Sequence, residues 1–175
     1  MPSLSRRLAQ FAAGLRYEDL PPQVVDRAKG VTLQSLTSVL IGSQTGAGKQ
    51  AVRMVADEEA GVRKGATILT DGTLVTKGGA AYANSELALA GGKYDTFRML
   101  THPNTAIIPA ALVAAESSGA TGKAYLAGVA AGYEVMERMA AEFIPTTMSP
   151  GFHPGPVFPI FGAAVAPGQG QGESL

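Results

Sequence analysis

Cysteine is absent from the 175 residues. Its absence excludes disulfides, a thiolate nucleophile, iron–sulfur ligation and the zinc sites that need cysteine. It fits a reducing compartment, although chains from oxidising compartments can lack cysteine too. Charge is scarce: 16% of residues are charged against 46% hydrophobic, a balance that points to extensive burial and leaves room for a subunit interface. Net charge is lacking as well. Fourteen basic and fourteen acidic side chains cancel, so there is no electrostatic footprint for nucleic acid or anionic lipid. No apolar run approaches the roughly 20 residues needed to cross a bilayer. The N-terminal stretch MPSLSRRLAQFAAGLRYEDL has neither the long apolar core nor the small-residue cleavage site of a signal peptide. The expectation is a soluble, cytoplasmic protein with one domain and a real core, and without a nucleic-acid or membrane partner.

Most of what remains is helical patterning. Leu4, Leu8, Phe11, Ala12 and Leu15 recur at helical spacing. Pro21 and Pro22 suit the first turn of a second helix, whose apolar face runs through Val24, Val25, Ala28, Val31, Leu36, Val39 and Leu40 to a stop at Gly42 and Ser43. Residues 48–61 read as a shorter amphipathic helix. Two β-prone runs flank Asp71-Gly72, a hairpin signal near 66–76. An Ala-rich helix follows from Gly78 to about Ala90. Asn104 or Thr105 can cap the next helix, which Gly119 stops near Ser118. Thr121 caps another, predicted from Gly122 to about Phe143, with Leu126, Val129, Tyr133, Met136 and Ala140 on its apolar face. The predicted fold is all-α: a many-helix domain rich in Ala and Gly, with one short β-hairpin. Residues 1–166 form that domain. The closing PGQGQGESL, residues 167–175, is polar and Gly-rich and cannot supply a core. It reads either as an ordinary disordered terminus or as a chain cut short or shifted out of its original course, and the abrupt change of composition favours the second.

Candidate chemistry gathers in KYDTFRMLTHPNTAIIPAA, residues 93–111, where Lys93, Asp95, Thr96, Arg98, Thr101 and His102 fall within ten residues ahead of an apolar helix. The chain has two histidines, His102 and His153, and each is followed by proline. A residue before proline is held extended, so each imidazole sits near the positive end of the following helix, among free backbone N–H groups. That suits an anionic ligand with histidine as acid or base. Two surface histidines in Pro-rich loops are the plain alternative. Lys93 and Arg98 could hold substrate carboxylates, and Asp95 and Thr96 could orient a histidine or bond a substrate hydroxyl. Each is equally readable as a polar loop residue. Two histidines without cysteine or a nearby acidic set make a weak metal site, and no metal is expected. GSQTGAGKQ, residues 42–50, imitates a phosphate-binding loop but lacks the first glycine, the Ser/Thr after lysine and a preceding strand. Asp57, Glu58 and Glu59 are consecutive, so they do not converge and read as a solvated helix face.

In order along the chain, three segments resemble one family. LAQFAAGLRYEDLPPQVVDRAKGVTLQSLTSVLIGS is similar to the N-terminal helices of the MmgE/PrpD family, the 2-methylcitrate dehydratase and cis-aconitate decarboxylase group. THPNTAIIPAALVAAESSGATGKAYLAGVAAGYEVMERM resembles the family's next section, and GFHPGPVFPIFGAA its second histidine segment. The likeness runs from residue 4 to about 166. It implies the first part of a large helical domain, whose α/β lid and later active-site lysines would lie beyond Leu175. It implies a cofactor-independent, usually dimeric enzyme of small di- and tricarboxylates, working by dehydration, decarboxylation or isomerisation.

By the same resemblance His102 matches the first family histidine, expected as the acid–base residue, and His153 the second, expected to bind or polarise substrate. Asp95 and Thr96 match the end of the D-F-D-D-T motif and would position groups, while Arg98, with Lys93, would pair with a carboxylate. The motif's leading aspartate falls at Gly92, Lys93 stands where an aromatic is usual, and Tyr94 replaces the middle aspartate. Asn84-Ser85 stands where Asn-Gly is common, and Gln34 where aspartate is frequent. The expected function is a lyase or isomerase of small carboxylic acids, 2-methylcitrate dehydratase-like, carried by a truncated homodimeric chain. The alternative is an inactive fragment serving only as a helical oligomerisation module, and sequence leaves open whether this chain alone is an enzyme.

Overall fold

Four of the helix starts described are set by hydroxyl side chains. Ser3, Thr45, Thr76 and Thr121 each accept a main-chain N–H of the following turn, from Arg6, Gly48, Gly79 and Ala124. Each bond satisfies one donor that the first helical turn leaves free, and replacing such a cap by alanine costs about 0.5–2 kcal/mol. The computed structural model describes residues 3–59 and 62–170. The four caps open α1 (Leu4–Gly14), α3 (Gly46–Glu58), α4 (Lys77–Gly91) and α6 (Gly122–Ala140). Proline opens α2 (Pro22–Gly42), where a missing N–H costs nothing. The all-α expectation is met, with α5 (Asn104–Ser118), α7 (Ile144–Met148), α8 (Pro154–Val157) and α9 (Pro159–Val165) completing the helices. Residues Ala166–Gly170 form a 3-10 turn against α5 and α6. Part of the tail expected at 167–175, residues 171–175, lies outside the described residues.

The hairpin is present. β1 (Ala66–Thr67) pairs antiparallel with β2 (Leu74–Val75), in the register Ala66 with Val75 and Thr67 with Leu74. Asp71 closes the turn by accepting the Thr73 N–H at 2.9 Å. The buried amide of Asn84 on α4 ties this hairpin down: it accepts the Leu69 N–H at 2.9 Å and donates to the Thr67 carbonyl at 3.0 Å.

Two apolar clusters make the core. One gathers Ile107, Ile108, Val129, Met136, Ile144 and Phe158. The other gathers Val39, Val55, Ile68, Val75, Leu87 and Val113. Helix α5 contributes to both, Ile107 and Ile108 to the first and Val113 to the second, so its position links the two halves. Its N-terminus, where the histidine segment enters, is thereby fixed from both sides. Among the described residues, no helix is long and apolar enough to cross a membrane.

Two local expectations are corrected. The helix expected to reach Phe143 ends at Ala140, and α7 restarts with Pro145 in its first turn. Proline has no N–H to continue the ladder of α6. Neither Asn104 nor Thr105 caps α5: the cap position is Pro103, Asn104 is the first helical residue, and the Thr105 hydroxyl donates back to the His102 carbonyl at 2.8 Å. The apolar stripes of α1 and α2 are only partly covered, with Leu4 70% and Leu40 64% exposed.

Close approach of α2 to α4 depends on Gly42, where a Cβ would collide with the Leu87 backbone carbonyl. On the same helix, Gly30 has nothing within 4 Å of the corresponding position. Gly42→Ala should therefore destabilise the fold by about 1–3 kcal/mol, whereas Gly30→Ala should stabilise it by about 0.5–1 kcal/mol. Urea denaturation of both variants checks the contrast. Equal effects would show that the α2–α4 contact is not limited by backbone approach.

Candidate active site

The segment joining α4 to α5 begins at Gly92, which ends α4 in the left-handed region at φ +67°. Backbone there is available to glycine without strain. Ser38 of α2 then holds the departing chain: its hydroxyl donates to the Ala88 carbonyl at 2.6 Å and accepts the Lys93 N–H at 2.9 Å. Further on, the Phe97 N–H donates to the Thr101 carbonyl at 2.8 Å and closes a tight turn. Within it Arg98 and Leu100 take φ +51° and +58°, a strained region for side chains of this size. The turn exposes Arg98, Met99 and Leu100, buries Thr101, and returns the chain so that His102 lies beside Asp95 and Thr96.

His102 is half-buried, and its Nδ1 lies 2.8 Å from the main-chain carbonyl of Asp95. A carbonyl can only accept, so Nδ1 carries the proton, and the neutral ring keeps its lone pair on Nε2. Thr96 Oγ1 stands 3.3 Å from the same Nδ1. The Tyr94 ring packs against the imidazole, centroids 4.1 Å apart. His153 caps α8, and its Nδ1 accepts the Gly155 N–H at 3.0 Å. That nitrogen is therefore unprotonated, and the neutral ring carries its proton on Nε2. The two imidazole centroids are 6.5 Å apart. Two rings in opposite tautomers thus stand within reach of one small molecule.

Asp95 is the anchor of this arrangement. Its Oδ1 accepts the Asn104 backbone N–H at 3.0 Å, in the first turn of α5, and its Oδ2 accepts the Tyr133 hydroxyl from α6. Burial raises the Asp95 carboxyl above its ordinary range. The bonds from Tyr133 and Asn104 and the nearby His102 oppose that rise without cancelling it. Burial, then the charge of Asp95, pushes the Tyr133 phenol upward, so it stays a neutral donor. Tyr133 and Asp95 also line a cavity of about 600 Å³ between α2 and α6, together with Val31, Gln34 and Glu137. Neither histidine lines it. Burial, then the charges of Glu134 and Asp95, raises the Glu137 carboxyl.

His102, His153, Asp95 and Thr96, far apart or scattered in local pattern, are thus brought to one place. Arg98 and Lys93 stay at its exposed margin: the Arg98 guanidinium lies 5.8 Å from the Phe97 ring centre, and neither cation has a carboxylate partner among the described residues. Two further residues of the site are not evident from sequence pattern, which marks Tyr94 only as a lost aspartate and Tyr133 only as part of an apolar face. A buried tyrosine must still find a partner for its hydroxyl, which is the signal that marks Tyr133. Among the described residues no three His, Asp or Glu side chains converge as metal ligands.

A family model described as the MmgE/PrpD N-terminal domain matches residues 6–172. No curated protein and no solved structure matches the chain.

The raised Glu137 carboxyl has a definite sign. A carboxyl raised on folding contributes stability that is full in acid and is lost as pH rises through its folded value. Glu137→Gln is accordingly expected to raise the melting temperature at pH 7 and to lose that advantage as pH falls below the ordinary value of 4.5. Thermal melts of both proteins across this range check it. A gain independent of pH, or a loss at pH 7, would rule out burial and like charge as the cause.

Proposed function

The chain belongs to the MmgE/PrpD family, matching its N-terminal domain, and on that premise we propose that it serves a hydro-lyase of small di- or tricarboxylic acids. Family membership supports a dehydratase-like reaction. The observation that carries the finer reading is the opposed tautomers of His102 and His153.

Dehydration of a hydroxy acid breaks a C–H bond beside a carboxylate, forms the C=C bond and expels the hydroxyl from the neighbouring carbon. A proton must leave carbon and another must reach the departing hydroxyl. The free Nε2 lone pair of His102 is the base that takes the carbon-bound proton. The Nε2–H of His153 donates a hydrogen bond to the departing hydroxyl and polarises its C–O bond. The proton taken by His102 passes to that hydroxyl, which leaves as water, and both rings end neutral as they began. Thr96, beside His102, positions the substrate hydroxyl. Asp95 fixes the orientation of His102 through its main-chain carbonyl. Lys93 and Arg98 at the margin supply positive charge for the substrate carboxylates, and the guanidinium can do so with two parallel bonds.

The partner in this reading is a second copy of the chain. Leu33, Leu40 and Ile41 lie exposed at positions i, i+7 and i+8 of α2, an apolar stripe suited to burial between protomers. A cytoplasmic location fits the same reading.

Turnover of 2-methylcitrate, cis-aconitate and related acids by the chain tests the proposal. His102→Gln should lower kcat by about 10²–10⁴-fold, the usual share of general acid–base catalysis. Unchanged turnover in this variant would remove His102 from the mechanism.

A further inference from the structure

We infer that Tyr133 is a positioning residue for His102, acting through Asp95. Asp95 faces two ways. Its side chain is held by Tyr133 of α6 and by the Asn104 N–H of α5, while its main-chain carbonyl accepts the His102 Nδ1–H. The orientation of that carbonyl is the orientation of residue 95, and two bonds from two helices set it. The backbone around it has little else. Residues 93–96 make no helical or strand bonds, and the nearest restraints are the Lys93 bond to Ser38 and the Phe97–Thr101 pair.

Loss of the Tyr133 hydroxyl leaves Oδ2 half-buried, next to the apolar cavity wall, without its donor. The carboxyl then protonates more readily, because Tyr133 is the strongest of the influences that hold it down. A residue anchored at one oxygen can swing, and its carbonyl swings with it. His102 has a ready alternative, since Thr96 Oγ1 already lies 3.3 Å from Nδ1 and a hydroxyl can donate as well as accept. Once that happens, Nδ1 can become the acceptor and the proton can move to Nε2. The base nitrogen proposed for catalysis would then be occupied by a proton. A hydroxyl on α6, which among the described residues bonds Asp95 and neither imidazole, therefore determines which nitrogen of His102 is free.

A control is built into the same helix. Tyr125 is also partly buried on α6 and bonds Thr32 at 2.9 Å, and among the described residues it makes no hydrogen bond to Asp95. Burial pushes its phenol up to about 12. Tyr133→Phe and Tyr125→Phe each remove one buried hydroxyl from α6, so a merely structural effect should appear in both.

The inference takes its purpose from the acid–base role proposed for His102, but its test needs no substrate. Histidine ¹⁵N resonances, of which the chain has two pairs, report the tautomer of each neutral ring directly. In the unaltered protein and in Tyr133→Phe and Tyr125→Phe, spectra are recorded at a pH where both rings are neutral. The expected result is a predominantly Nδ1–H ring for His102 in the unaltered protein and in Tyr125→Phe. In Tyr133→Phe the ratio of Nδ1–H to Nε2–H should fall at least about tenfold, while His153 stays unchanged. An unaltered His102 ratio in Tyr133→Phe, or equal shifts in both variants, would overturn the inference. Should Tyr133→Phe not fold, the Tyr133 hydroxyl proton of the unaltered protein gives the second measurement. It should resonate far downfield and move as His102 is titrated, and indifference to that titration overturns the inference too. Where turnover is measurable, Tyr133→Phe should lower kcat about 10–100-fold with little change in KM. If the tautomer changes while His102→Gln leaves turnover intact, the functional reading fails and the positioning role stands.

Discussion

Asp95 accepts from three donors on three parts of the chain, and these bonds tie the histidine segment to α5 and α6. Its carboxylate bonds the first turn of α5 and the hydroxyl of Tyr133 on α6, and its carbonyl bonds the ring of His102. A half-buried carboxylate is costly unless hydrogen-bonded, so the two side-chain bonds are what allow an acid at this depth. The residue then transmits helix positions to an imidazole. The geometry of α5 and α6, fixed by Ile107, Ile108, Val129 and Met136 in their shared core, thereby sets the orientation of that ring.

Small residues make that transmission stiff. Gly42 lets α2 reach the backbone of α4, and Gly162 of α9 lies so close to Gly132 of α6 that a Cβ on it would overlap the Ile107 side chain and the Gly132 carbonyl. Backbones at such separations leave little freedom to slide. Ser38 sits at the α2–α4 contact and bonds both the end of α4 and the start of the histidine segment. On the other side, α9 packs on α6 and α5, which carries the His153 loop to the same place. Two histidines separated by 51 positions meet because close-packed helices leave their loops one direction to go.

Much of this was legible from local pattern. Hydroxyls before helices, proline in first turns, Asp71-Gly72 between β-prone runs and a histidine before each of two prolines all act through near neighbours, so sequence displays them. The ordered family segments likewise identified the fold. What was hidden depends on partners distant in sequence. Tyr133 and Asp95 are 38 positions apart, and an apolar-face position says nothing about where a phenol hydroxyl ends. Asn104 reads as a good cap, yet the chain enters α5 through Pro103, and the Asn104 side chain is buried with neither amide atom bonded among the described residues. The Tyr94 ring packs against His102, a contact that no local pattern announces. Gly92 takes the left-handed turn that ends α4.

The central claim is that His102 and His153 form one carboxylate site. Titration of the chain with 2-methylcitrate, followed through the ring ¹H and ¹³C resonances of both histidines, tests it most directly. The account predicts that the two sets of signals shift together along a single saturation curve, and that a monocarboxylate of similar size produces a weaker response. Signals from one ring alone, two curves of different midpoint, or no change in either ring would contradict it.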